Sequence, residues 1–102
     1  ERFVKRRILG QKPVSGRDEK RRARMAAAEK RAILDRLKAA ETAIADAEAE
    51  IARLEAQMAD PETYKDVEMA QEIARQHREC SASMEALYAE WEAASEAAAE
   101  LE

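Results

Sequence analysis

Between Arg17 and Asp60 the chain has neither glycine nor proline, and its apolar residues return every seven positions. Ile33, Ala40, Ala47 and Leu54 make one row; Leu37, Ile44, Ile51 and Met58 make a second. Interleaved at spacings of three and four, the rows are the two seam positions of a coiled coil, held on one face by slight underwinding. Glycine's backbone freedom and proline's missing N–H are both absent, so nothing interrupts a helix expected over about 17–59. Ser15, with Asp18 three positions later, is a start signal of the Ser-x-x-acid kind.

The pattern stops at Ala59-Asp60-Pro61-Glu62-Thr63-Tyr64. Pro61 has no N–H to give a helix interior and biases Asp60 toward extended backbone, from which Asp60 can cap the next turn. A turn over about 60–66 and a second helix over about 67–101 are expected. That helix has its own rows: His77, Met84, Trp91 and Ala98, and beside them Ile73, Cys80, Leu87, Ala94 and Leu101. A short connection forces the two seams to fold back on each other, since a parallel pair needs a long crossover. The fold class is therefore all-α, a two-helix antiparallel coiled-coil hairpin with a flexible N-terminal linker. Facing residue numbers then sum to about 128, setting Ile51 against His77, Ala47 against Cys80, Ile44 against Met84, Ala40 against Leu87 and Leu37 against Trp91. Residues 1–16, with Gly10, Pro13, Ser15 and Gly16, read as a linker or the exit from a preceding domain, and residues 17–102 as the hairpin.

Composition agrees with a thin seam. Of the apolar residues 24 are alanine and 23 are larger, too few of the latter for a thick globular core. No apolar run approaches the ~18 residues that span a bilayer, and there is no apolar core of a signal peptide. A cytoplasmic location with no membrane partner is expected. The lone Cys80 has no partner for an intrachain disulfide. A chain starting at Glu1 rather than Met is expected to be a piece of a longer protein.

Catalytic and cofactor chemistry finds little to work with. Gly10 and Gly16 are the only glycines, so no glycine-rich loop can present its N–H groups to phosphates. His77 and Cys80 stand at i,i+3, but zinc takes four protein ligands, or three and a water. A Cys–His nucleophile would need oxyanion donors and a third orienting group that the sequence does not name. Both residues read better as seam positions, His77 as a polar layer that marks register. No catalytic residue, metal or cofactor is expected. Trp91, Tyr88 and Tyr64 could stack on bases; Trp91 is assigned to the core by its seam position, and Tyr64 near the turn is the better outside contact.

Charge is the feature with a functional reading. Residues 1–38 hold 14 Lys/Arg against 5 Asp/Glu, and residues 39–102 hold 4 against 17, so a pI of 5.2 hides a basic end joined to an acidic one. Lys5, Arg6 and Arg7 precede the candidate nucleic-acid-binding residues Lys12, Arg17, Lys20, Arg21, Arg22 and Arg24. Helical spacing lines Arg17, Lys20, Arg21 and Arg24 along one face, where a row of phosphates could be neutralised. The plainer alternative is a solvated face that meets nothing.

Taken together these segments resemble a family. The run Arg21-Arg22-Ala23-Arg24-Met25-Ala26-Ala27-Ala28-Glu29-Lys30-Arg31, then Ile51-Ala52-Arg53-Leu54-Glu55, the turn Ala59-Asp60-Pro61-Glu62-Thr63-Tyr64 and the closing Glu90-Trp91-Glu92-Ala93-Ala94-Ser95-Glu96 are similar to the C-terminal extension of ABC-F ATPases, across residues 17–97. The resemblance implies two ATP-binding cassettes upstream in the same polypeptide and a translation factor that acts on ribosomes. It also implies that the basic lead-in and hairpin touch ribosomal RNA or other nucleic acid; hairpins of this kind in some relatives bind DNA. None of the family's ATPase residues has a counterpart, so no catalytic role carries over. The seam departs from the family pattern, with alanines and a histidine where leucine is common. Leu54 to Tyr88 is also similar to the N-terminal helical hairpin of class-I peptide-chain release factors, which the basic lead-in fits poorly. A purely structural or dimerising coil, indifferent to RNA, is a third possibility. The expectation is a monomeric, non-catalytic arm that meets the ribosome or another nucleic acid.

Overall fold

A computed structural model describes residues 16–101. Ser15 and Lys12 lie outside the described residues, and with them the expected cap and linker. Helix α1 runs Gly16–Ala59, a 3₁₀ turn occupies Pro61–Lys65, and helix α2 runs Val67–Ala99. The chain divides into two compact units between Ala32 and Ile33.

In the unit that begins at Ile33, α1 and α2 lie side by side and antiparallel. As numbering rises along α1 through Arg36, Ala47 and Glu55, the partners on α2 fall through Glu90, Cys80 and His77. Cys80 Sγ donates to the Ala47 carbonyl at 3.6 Å, so the facing pair expected at that layer is in register. Every seam residue of α1, from Ile33 to Met58, is buried or half-buried, while the intervening charged positions are almost all exposed. Leu54 and Ala94 are fully buried, with Ala40 and Ile73 close behind.

Two seam assignments need correction. Trp91 is 36 % exposed and lies on the flank of the pair, its Nε1 donating to Glu41 Oε2 at 3.4 Å. On the flank the indole N–H keeps a carboxylate partner, whereas a ring closed into the apolar seam would leave that donor unpaired. Leu101 is also exposed, because α2 ends at Ala99 and the Glu100 N–H closes back onto the Glu96 carbonyl.

The turn uses its side chains to finish α1 and start α2. The last carbonyls of a helix have no partner within it. Here Thr63 Oγ1 donates to the Gln57 carbonyl at 2.7 Å and Tyr64 Oη to the Met58 carbonyl at 2.5 Å. Asp60 is extended (φ −85°, ψ 118°), and its carboxylate accepts from the Glu62 N–H at 3.0 Å, as the residue before Pro61 was expected to do. Asp66 then caps α2 by accepting from the Met69 N–H at 3.1 Å. The hydroxyl of Tyr64 is thus spent locally, although its ring stays exposed.

Ion pairs decorate the outside of the hairpin. Arg36 grips Glu90 across the helices with two hydrogen bonds, Nε to Oε1 at 2.6 Å and Nη2 to Oε2 at 3.2 Å. The hydrogen bond from Arg36 holds the Glu90 carboxyl below its usual range. Within α2, Arg75 and Gln76 donate to Glu72 and bring its carboxyl down to about 2. These groups are open to water, so they fix register and direction more than they stabilise. His77 is half-buried in the seam with Nε2 3.5 Å from Glu55 Oε2, near enough for ion attraction but without a hydrogen bond among the described residues.

Candidate nucleic-acid interface

Five of the six predicted residues, Arg17, Lys20, Arg21, Arg22 and Arg24, lie on the first turns of α1, and all five are exposed. Lys12 is outside the described residues. At 3.6 residues per turn, Arg17, Lys20, Arg21 and Arg24 share a face, and Arg22 sits off it. The span from Arg17 to Arg24 is about 10 Å along the axis, enough to meet successive phosphates on one strand.

Among the described residues no ion pair engages any of these five cations, nor Lys30, Arg31, Lys38 or Arg78, whereas Arg36, Arg53, Lys65 and Arg75 are paired. Arg17–Arg21 and Lys20–Arg24 are like charges at i,i+4, a mildly destabilising arrangement of roughly 0.2–0.5 kcal/mol each. Arg17 also stands in the first turn, where the exposed N–H groups of the helix disfavour positive charge and favour the Asp18 and Glu19 that follow it. A phosphate oxygen relieves both penalties. Four of the five are arginines, whose planar guanidinium grips phosphate with two parallel N–H bonds.

Sequence reasoning passed over Arg31. It lies one heptad beyond Arg24 and two beyond Arg17, is exposed, and continues the same face of α1. The signal was present in the spacing 17, 24, 31, but the intervening Met25-Ala26-Ala27-Ala28 interrupts the charge run and hides the continuation.

Other chemistry is sparse in the described residues. No group of three or more His, Cys, Asp or Glu side chains is placed to hold a metal ion there. No helix among them is long and apolar enough to cross a membrane. Beside the turn an open groove is lined by Arg53, Gln57, Asp66, Glu68, Glu72 and Gln76 together with Met69 and Ile73.

Sequence comparison places this geometry. The family model of the ABC transporter C-terminal domain matches residues 24–96, most of α1 and nearly all of α2. The chain belongs to the ABC transporter C-terminal domain family. It is accordingly a C-terminal arm of an ABC protein, and the match spans both helices, whereas the release-factor resemblance begins only at Leu54. Within this domain the matched region takes in Arg24 and Arg31; Arg17, Lys20, Arg21 and Arg22 precede it. Searches of curated proteins and of solved structures returned no match.

Proposed function

We propose that this C-terminal domain is a non-catalytic arm of an ABC-F-type ATPase that contacts the ribosome or another nucleic acid through the basic start of α1. The observation that carries the reading is the set of exposed cations from Arg17 to Arg24, crowded into two turns and free of ion pairs among the described residues. Lys12 joins them from the preceding segment. The ATP-binding cassettes belong upstream in the same polypeptide, and the arm works as a cytoplasmic monomer. The hairpin contributes stiffness: its zipped helices set reach and orientation, while the arginines supply electrostatic affinity without reading base sequence.

The test is the salt dependence of binding to a short RNA duplex, measured by fluorescence anisotropy. Neutralising phosphates releases counterions, so the logarithm of affinity falls linearly with the logarithm of salt concentration. Changing Arg21, Arg22 and Arg24 together to alanine should weaken binding and reduce that slope by about 2–3. An unchanged slope in the triple variant points instead to a structural spacer with an idle basic face. Sedimentation at several concentrations checks the monomer.

A further inference from the structure

Besides Tyr64 at the turn, two large aromatic side chains are exposed on the hairpin, and each makes a hydrogen bond across the helices. Tyr88 and Trp91 stand at i,i+3 on α2, 48 % and 36 % exposed. Tyr88 Oη donates to Glu48 Oε1 at 3.1 Å, and Trp91 Nε1 donates to Glu41 Oε2 at 3.4 Å, each bond crossing from α2 to α1. Between the two carboxylates lies Ala45, exposed and too small to cover the rings. The flank is thus a low floor of alanine with two aromatic rings along one side and two carboxylates along the other.

We propose that this flank is a docking surface for a protein segment that presents arginine or lysine side chains. The chemistry of the patch selects a cation. Indole and phenol faces attract guanidinium and ammonium groups, most strongly where water is displaced. Each carboxylate accepts one hydrogen bond from a ring donor, and an ionised carboxylate has several acceptor positions. Exposed Glu85 and Glu92 on α2 add to the negative field, and Lys38, one turn before Glu41, offsets only part of it. Arg36 is already taken by Glu90. Residues 33–101 carry 17 acidic against 6 basic side chains, a balance that favours a cationic over an anionic partner. The rings are oriented before the partner arrives, which removes part of the ordering cost of association. Tyrosine, tryptophan and arginine are also the residues on which interface energy concentrates. This surface shares no residue with the basic start of α1, and the proposal does not depend on that segment binding nucleic acid.

Trp91 is the single tryptophan of the chain, so its emission reports occupancy of this patch alone. The probe is a short peptide of alternating arginine and alanine, titrated into the full chain while Trp91 fluorescence and helicity are followed. A saturable change in emission is expected. Glu41→Gln with Glu48→Gln keeps an acceptor for each ring and removes only charge; it should weaken peptide binding about tenfold. Glu62→Gln with Glu68→Gln removes the same charge near the turn and should leave affinity within about twofold of wild type. If the first pair loses helicity, Glu48→Gln alone serves, with a loss of about threefold. Four results overturn the proposal: no emission change at saturating peptide, equal losses in both double variants, a larger response to single-stranded RNA than to the peptide, or emission that varies with the chain's own concentration and so assigns the patch to a second copy.

Discussion

Leu54 is the largest fully buried side chain of the hairpin, and replacing it with alanine isolates what the seam contributes. Burying a leucine and then truncating it in a core costs about 2–5 kcal/mol, with the spread set by how far the surroundings collapse into the space. Here the seam is one layer thick, and its neighbours Ile51 and Met58 are only half-buried, so they are free to shift. The loss belongs at the lower end, about 2–3 kcal/mol. A unit of this size has a total stability of about 3–10 kcal/mol, so the substitution removes about a fifth or more of it. In a thermal melt followed by far-UV circular dichroism the midpoint should fall by about 10–20 °C. Leu34 is the control: 44 % exposed and outside both heptad rows, its alanine variant should stay within about 0.5 kcal/mol of wild type. Equal midpoints for the Leu54 and Leu34 variants would refute a seam in which buried leucine holds the helices together.

Other expectations follow from the caps and ion pairs. Asp66→Ala removes the acceptor for the Met69 N–H at the start of α2 and should cost about 1 kcal/mol, read as a lower urea midpoint. Glu90 tests pH dependence. Its carboxyl is held below the usual range by the hydrogen bond from Arg36, so the stabilisation is present above that range and is lost as pH falls through the folded-state value. Glu90→Gln should therefore melt earlier than wild type at neutral pH, and the gap should close below about pH 4. A gap that persists in acid would mean that Arg36 and Glu90 contribute by packing and not by charge.

Much of the hairpin could be read from spacing because period and punctuation agreed. Rows of seven on each side of Pro61 leave few ways to bury Ile33 to Met58 other than against Ile73 to Ala94. The place of the bend was legible too, since a proline after an aspartate cannot continue a helix. Trp91 was not, because heptad position says which residues face the partner but not how near the backbones come. The Trp91 indole sits on the flank, where the N–H reaches the Glu41 carboxylate. The Tyr64 hydrogen bond was not legible either: whether a hydroxyl six residues beyond Met58 reaches that orphan carbonyl depends on the turn geometry. The basic segment was legible as charge, while its solvent exposure and want of ion pairs required coordinates.

The division of labour between a basic helix start and an acidic hairpin is most directly tested by amide NMR of the whole chain with a short RNA duplex added. Resonances from Arg17 to Arg24 should shift and broaden in proportion to RNA, with Arg31 following, while Glu41, Glu48, Tyr88 and Trp91 stay in place. Perturbations that fall on the hairpin flank or the Pro61 turn, and leave Arg17–Arg24 unmoved, would contradict the account.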